Sequence, residues 1–425
     1  MGMRGRLAAL AAAAPIPVFP VTGSGARHEV SALRLRPELE VVDTPRHAGV
    51  LLVAGTFRPG EVPGLAAVHD QISPPRATVR WGEAMDDLVV SRQLSGDADM
   101  VVAAITALGR EVSEEPGRSE PPLLPDVDPV EWRGVGPYGH GGKGMTGGTP
   151  FGRPLAERAP DRDGVELDQL PLTVGPWAGP LPPGLAIDLK LQGDIIQEAE
   201  IREPVMEPSL PGLFAEALGS PQRVADLELA RASHHLFWLG EALRVHGLQA
   251  LGLRAIRLAL GVAPGSERSV RRLLTMVRRS AIFSLALERV GAIPDSGPSG
   301  LGPVDRARGR ADDARVGEAA YDELGFGPIT YEAGDSASRW RQRLAEIEQS
   351  LDLAARAGDL TAFGNGVVES PRGRIALDAK PPSSAVLAEL GDWMAGMEWG
   401  DAVTLIWSLD VDPGARIPAG AGVGE

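Results

Sequence analysis

The chain has 425 residues, 57 acidic and 42 basic, for a net charge of −15, with 43% apolar residues and no cysteine. At about 150 residues per domain this length suggests two or three domains, and the apolar content suffices for a sizeable core. The acidity argues against a nucleic-acid partner, no apolar run reaches the roughly 20 residues that cross a bilayer, and the missing thiols exclude disulfides, a cysteine nucleophile, Cys-ligated zinc and thiolate-held iron–sulfur or nickel–iron centres.

Met1–Ala14 places two arginines ahead of an Ala/Leu-rich stretch, which resembles a short secretory signal. Pro15 and Pro17 interrupt it, so a first strand or helix is the preferred reading. Residues 20–110 read as an α/β unit. Gly49–Gly55 (GVLLVAG) is an apolar run bounded by glycines, the pattern of a buried parallel strand. Val62–Ile72 has helical spacing, Ala77–Trp81 is a second strand, and Asp99–Leu108 is a second helix. That order predicts a parallel sheet with right-handed crossovers.

Residues 111–182 read as irregular. They open with an acidic, Pro-rich linker, Glu111–Glu131, and continue as Gly134–Pro150 (GVGPYGHGGKGMTGGTP). Gly142-Lys143 fails the phosphate-loop spacing, and Gly144 stands where Ser or Thr should follow, so a crossover loop is preferred to phosphate binding. Leu185–Glu200 alternates and turns at Gln192-Gly193-Asp194, which predicts a β-hairpin. Long helices follow at Val224–Val262, Glu267–Gly291, Ser336–Ala357 and Ser384–Met397, so a helical bundle with a small β appendage is expected. Ala402–Leu409 (AVTLIWSL) reads as a strand.

Few residues stand out for chemistry. His234 and His235 are adjacent on a helix and point about 100° apart, so joint metal ligation is unfavourable; His246 lies near the His235 face. One packed and one surface imidazole is the preferred reading. Asp410 and Asp412, near Arg416, offer an acid–base or cation site, or equally a turn cap. Arg306, Asp312, Asp313 and Arg315 read as a loop of solvated ion pairs, and Glu346 with Glu348 as a polar helix face.

Several segments resemble two subunits of respiratory complex I, or of membrane-bound group 4 hydrogenases, joined in one chain. Thr44–Thr56 (TPRHAGVLLVAGT), Val68–Gln71, Pro74–Arg76 and Trp81-Gly82 are similar to the small, cluster-bearing subunit. Gly175-Pro176, Leu191–Asp194, Ala232–Gly240 (ASHHLFWLG), Gly302–Ala307, Ala320–Phe326, the Arg339/Arg343/Glu346/Gln349 helix, Glu369–Gly373 (ESPRG) and Asp401–Asp410 resemble the large, hydrogenase-derived subunit. The resemblance implies a flavodoxin-like parallel-sheet α/β domain at 1–110, a Pro/Gly-rich linker and crossover loop at 111–170, and a large-subunit-like α+β domain at 171–425. The last would hold a hairpin at 185–200, a helical bundle at 224–400 and a strand at 402–410.

The departures are chemical. Where the small subunit holds a [4Fe–4S] cluster by four cysteines, this chain has Gly25, His28, Glu83 or Ala84, and Gly96-Asp97. Beside the final Asp412-Pro413, Gly414 replaces a nickel–iron ligand, and Ala178 stands where the quinone-site histidine belongs. No iron–sulfur cluster and no nickel–iron centre is therefore expected, with quinone left as a candidate ligand. Three functions follow from the resemblance: a cofactor-less coupling or scaffold subunit of an ion-translocating, complex-I-like membrane assembly; an NADH–quinone oxidoreductase-type subunit, with NAD and quinone binding and partner-borne clusters; or a soluble binding protein or enzyme. The expected partners are polytopic membrane subunits and further peripheral subunits, with the chain on the cytoplasmic face of the cell membrane. An inter-domain crevice is expected at Gly175, Pro176, Trp177, His234, Arg306, Asp322, Arg372 and Asp410. Arg306→Ala and Asp410→Asn are expected to impair assembly-linked activity without unfolding the chain.

Overall fold

Valine- and leucine-rich runs alternating with amphipathic segments build the first part of the protein as a five-stranded sheet under helices. The computed structural model describes residues 14–127 apart from 59, 86, 87 and 89, then 133–134, 148–149 and 156–160, and 164–413 apart from 204–211 and 378. The signal-like Met1–Ala14, most of Gly134–Pro150, Gly414 and Arg416 lie wholly or nearly so outside the described residues.

The sheet comprises β1 (Ile16–Thr22), β2 (Leu39–Val41), β3 (Val50–Ala54), β4 (Ala77–Trp81) and β5 (Arg92–Leu94). Its order is β2-β1-β3-β4-β5, and every pairing is parallel. That is the flavodoxin-like order, with its switch point between β1 and β3. β3 is central and buried along its whole length, as its unbroken apolar run requires. Helices α1 (Arg27–Leu33), α2 (Val62–His69) and α3 (Ala98–Glu114) pack against the sheet. β1 begins at Ile16 and carries Pro17 and Pro20 within it, whereas the first strand or helix was expected over Met1–Ala14. It forms because β2 pairs only with Ile16–Val18, which leaves Pro20 facing no ladder on that side.

A second sheet is antiparallel, in the order β9-β8-β7-β6: β6 (Glu157–Pro160), β7 (Glu166–Val174), β8 (Ile187–Gln192) and β9 (Ile195–Ile201). β8 and β9 are the predicted hairpin. β6 and β7 correct the reading of 111–170 as linker and of 111–182 as irregular. Leu170, Leu172 and Val174 alternate, but Pro171 hid the strand. β6 pairs only with Glu166–Gln169, so Pro171 lies where β7 is an edge.

The remainder is helical: α4 (Gly212–Gly219), α5 (Val224–Val245), α6 (Gln249–Leu260), α7 (Glu267–Arg279), α8 (Pro303–Arg306), α9 (Ala319–Glu323), α10 (Ser336–Arg356), α11 (Pro382–Met394) and α12 (Trp399–Leu409), with a hairpin of β10 (Val367–Ser370) and β11 (Gly373–Ala376). α5, α6, α7 and α10 share one apolar core around Leu236, Leu243, Leu273, Trp340 and Leu344. α12 corrects the expected strand at 402–410. Ala402–Leu409 is buried on every side, and a continuous apolar run does not distinguish a strand from a fully buried helix. No helix of the described residues is long and apolar enough to cross a membrane.

Candidate functional site

The carboxyl end of β1 opens on a cavity of about 330 Å³ between the parallel sheet and the later part of the chain. Phe19, Thr22 and Arg27 form one wall; Pro176, Trp177 and Trp407 form the other. Gly175 has φ +87, and a Cβ there would run into the Leu185 carbonyl oxygen, so only glycine permits the turn that presents Trp177. Trp177 meets Phe57 edge-on at 6.4 Å. A Cβ at Gly64 would stand 2.6 Å from its ring. Trp407 donates from Nε1 to the Pro180 carbonyl at 2.6 Å, which ties α12 to the same loop. The Arg27 guanidinium lies 6.0 Å from the Trp407 ring.

Beside this cavity, His28 stacks on Phe237 with centroids 4.1 Å apart and planes at 5°. Next to that stack lies a cluster drawn from three places. Asp410 caps the C-terminus of α12 in the left-handed region, φ +54, a conformation aspartate tolerates. Its Oδ2 accepts from His234 Nε2 at 2.7 Å, and its Oδ1 faces Arg372 Nη2 at 3.4 Å. Arg372 also donates from Nε to the Asp410 carbonyl at 2.9 Å and from Nη1 to Asp412 at 3.2 Å. Arg343 donates to the carbonyls of Ser408 and Leu409 at the same helix end. Burial alone would raise the Asp410 carboxyl, but Arg372 first and His234 next hold it far below the carboxylate range. Burial lowers His234 to about 4, against the pull of Asp410. The pair is thus an anionic Asp410 and a neutral His234 that donates from Nε2. Asp412, read as one half of an open acid pair, is bound by Arg372 instead.

A second polar region fills the helical core. Arg306 donates from Nε to Glu346 and from Nη1 to Glu369, each at 2.8 Å, and faces Asp313 at 2.9 Å. Arg315 grips Asp313 with two bonds, at 3.0 and 2.7 Å. Glu228 accepts from Tyr321 at 2.7 Å and Ser350 at 2.6 Å, with Arg231 and Arg315 at 3.4 Å. Every ionised group of this lattice is at most 4% exposed. It corrects the reading of Arg306, Asp313 and Arg315 as solvated loop charges and of Glu346 as a surface residue; Asp312 does stay exposed, bound by Arg374. Burial raises Glu346, yet Arg306 and His235 bring it well below its ordinary value. Burial and then Asp313 raise Glu369, which Arg306 opposes.

Of the expected crevice residues, Pro176 and Trp177 line the cavity, with Gly175 shaping their loop. His234, Arg372 and Asp410 meet in the adjoining cluster. Arg306 belongs to the buried lattice, and Asp322 is exposed on α9, among the residues of neither the cavity nor the cluster. Glu228, Arg231 and Arg343 were missed. Their signal was present: Glu228, Arg231 and His235 on α5, and Arg339, Arg343, Glu346 and Ser350 on α10, are polar stripes at steps of three and four, the spacing of one helix face.

The residues at the expected ligand positions do not fit a [4Fe–4S] cluster. Gly25 offers no donor, the His28 ring is stacked, and Asp97 Oδ1 accepts from Met100 N at 2.9 Å as the N-cap of α3. Nearby, the Arg80 guanidinium donates to the carbonyls of Val53, Gly55 and Trp81 at 3.0, 2.7 and 2.8 Å, which ties the ends of β3 and β4 together. No group of three or more potential metal-binding side chains occurs among the described residues.

A family model for the 49 kDa subunit of respiratory-chain NADH dehydrogenase matches residues 256–387. The match falls within the helical region, from α6 to α11. The match takes in Arg306, Asp313, Arg315, Glu346, Glu369 and Arg372 but neither His234 nor Asp410. No curated protein matches the chain. Among solved structures, a chain of the membrane-bound sulfane sulfur reductase, an archaeal respiratory membrane complex, is similar with a TM-score of 0.44 and 18% identity, over 58% of this chain and 98% of that one.

Proposed function

We propose that the protein is a peripheral-arm coupling or scaffold subunit of a complex-I-like, ion-translocating membrane assembly, on the cytoplasmic face of the membrane, and that it carries no redox centre of its own. Residues 1–110 and 171–425 would be fused counterparts of the small and large subunits, joined through 111–170. The observation that carries the reading is Arg80. Its three bonds to backbone carbonyls hold the strand ends together in a chain without a single thiol, and the likeness of residues 256–387 to the 49 kDa subunit supports the kind of assembly. Asp410, His234 and Arg372 would then lock α12 to α5 beside the crevice, each charge being answered by a neighbour.

The test is native extraction in mild detergent with the chain tagged. Polytopic membrane proteins should co-purify, and the isolated chain should show no iron–sulfide signal by paramagnetic resonance. Extraction without membrane proteins favours a soluble binding protein or enzyme; a cluster signal refutes the cofactor-less role. A second reading, participation in electron transfer to quinone with clusters on partner chains, draws on the cavity walled by Trp177 and Trp407. It requires saturable quenching of tryptophan fluorescence by a short-chain quinone, weakened in Trp177→Phe.

A further inference from the structure

Against a net charge of −15, residues 254–279 carry seven arginines and one acid, Glu267. The segregation is structural as well as sequential. On α7, Val270, Leu273, Leu274 and Val277 are buried in the helical core, so the opposite face must be polar. Arg268, Arg271, Arg272, Thr275 and Arg279 occupy that face at steps of one, three and four, and all are exposed. Arg257 on α6 is exposed too. Among the described residues these five arginines have no carboxylate partner, whereas Arg278 is paired with Glu348 at 2.7 Å. Leu260, 50% exposed, ends α6, and Leu285, 82% exposed, follows α7.

Such a face suits a polyanion of repeating phosphates better than a folded protein. The centre of a protein interface is depleted in charge and enriched in aromatic anchors, and this strip has charge without aromatics. Arginine rather than lysine supplies every cation in it, and the guanidinium fork pairs with phosphate oxygens through two parallel bonds. We propose that the outer faces of α6 and α7 dock on an anionic lipid surface, with the guanidiniums among the phosphate headgroups and Leu260 and Leu285 at the two ends of the strip. This rests on the peripheral-arm reading for its choice of lipid over nucleic acid.

Flotation of the full chain with vesicles tests it. Binding to phosphatidylglycerol-containing vesicles should exceed binding to pure phosphatidylcholine and fall steeply with salt. The triple variant R268Q/R271Q/R272Q should bind about a hundredfold more weakly, at roughly fivefold per arginine. The control R92Q/R118Q/R158Q removes exposed arginines that already have carboxylate partners and should bind as the wild type does. Equal binding to both lipids, a triple variant as avid as the wild type, or retention on a polynucleotide alone overturns the proposal. A chain that floats with phosphatidylglycerol yet brings down no membrane proteins keeps this docking face and removes the peripheral-arm reading. One that brings down membrane proteins but ignores the vesicles removes the docking face alone.

Discussion

The parallel sheet and the helical region bury very different material. The sheet core is aliphatic: Val18, Val50, Leu52, Ala54, Ala77 and Val79 are wholly buried against α1 and α3. Its deepest carboxylate, Glu120, is met by donors from Thr78 and His69. The helical region instead runs a lattice of arginines and carboxylates through its interior, with Glu228, Arg231, Arg306 and Arg339 at 0% exposure. Aliphatic packing tolerates change in proportion to the volume lost. A buried ion lattice does not, because removing one partner leaves the others charged and unpaired. The second architecture therefore stakes more stability on fewer residues.

The sharpest way to break this contrast is Arg306→Ala. It strands Glu346 and Glu369 and leaves Asp313 to Arg315 alone, and the expected cost is at least about 4 kcal/mol in chemical denaturation, enough to unfold many domains. The sequence-based expectation that this variant stays folded is thus revised, because Arg306 is an internal counter-ion rather than a crevice wall. Within the lattice, Glu346→Gln and Glu369→Gln should differ. Glu346 is held ionised by Arg306, so its neutralisation destabilises; Glu369 is pushed towards its neutral form by burial and Asp313, so its neutralisation costs less. Equal losses for the two would mean that the arginines do not discriminate between the carboxylates.

Leu52→Ala probes the aliphatic side and should cost about 3 to 4 kcal/mol without altering the pH dependence of stability. The residues it touches are also those that sequence alone made legible. GVLLVAG, short and bounded by glycines, read as a buried strand, and the alternation of two strands with two helices gave a parallel sheet; the other three strands and their order did not follow from it. β7 escaped, and the extent of β1 was not seen, because Pro171 and Pro20 each lie where one neighbouring strand has ended, a property of the partners and not of the segment. The charged lattice escaped for a different reason. An arginine or glutamate read singly is a solvated group, and only the three–four spacing on α5 and α10 shows it to be inward. At the candidate site, Trp177, His234, Arg372 and Asp410 were legible through motif likeness. Arg306 and Asp322 were misplaced because motif order in sequence carries no information on which side of a helix faces the cavity.

Acid titration should then act where the two regions meet, at His28 of the sheet region, lowered by burial to about 3, and at His234. His234 titrates near 4 in the folded protein and near 6.5 when unfolded. As pH falls from about 6.5 to about 4, the unfolded chain takes up a proton that the folded chain refuses, so stability drops by up to about 3 kcal/mol from this group. His235 and His246 are shifted in the same direction and add to the slope. Asp410, held far below its ordinary range, contributes a further loss only once pH falls below about 4. His234→Gln retains a donor for Asp410 and should flatten the upper part of the curve by one proton, read from urea midpoints across pH. An unchanged slope would assign the loss to the other histidines.

The smallest effect is expected where the two regions touch through charge. Asp43 accepts from Arg34 and faces Arg244, both at 3.2 Å, and so bridges the sheet region to α5. Its side chain is 66% exposed, so water and salt screen both pairs, and Asp43→Ala should cost below about 1 kcal/mol and nothing at high ionic strength. The contact between the regions would then depend on ring surface, the His28 ring stacked on Phe237 and Trp177 set edge-on to Phe57. Phe237→Ala should accordingly loosen it more than Asp43→Ala does, as measured by limited proteolysis between residues 111 and 170. If Asp43→Ala proves costly and insensitive to salt, charge rather than stacking sets how the sheet sits on the helices, and the helical region's reliance on ion pairs extends to its outer boundary.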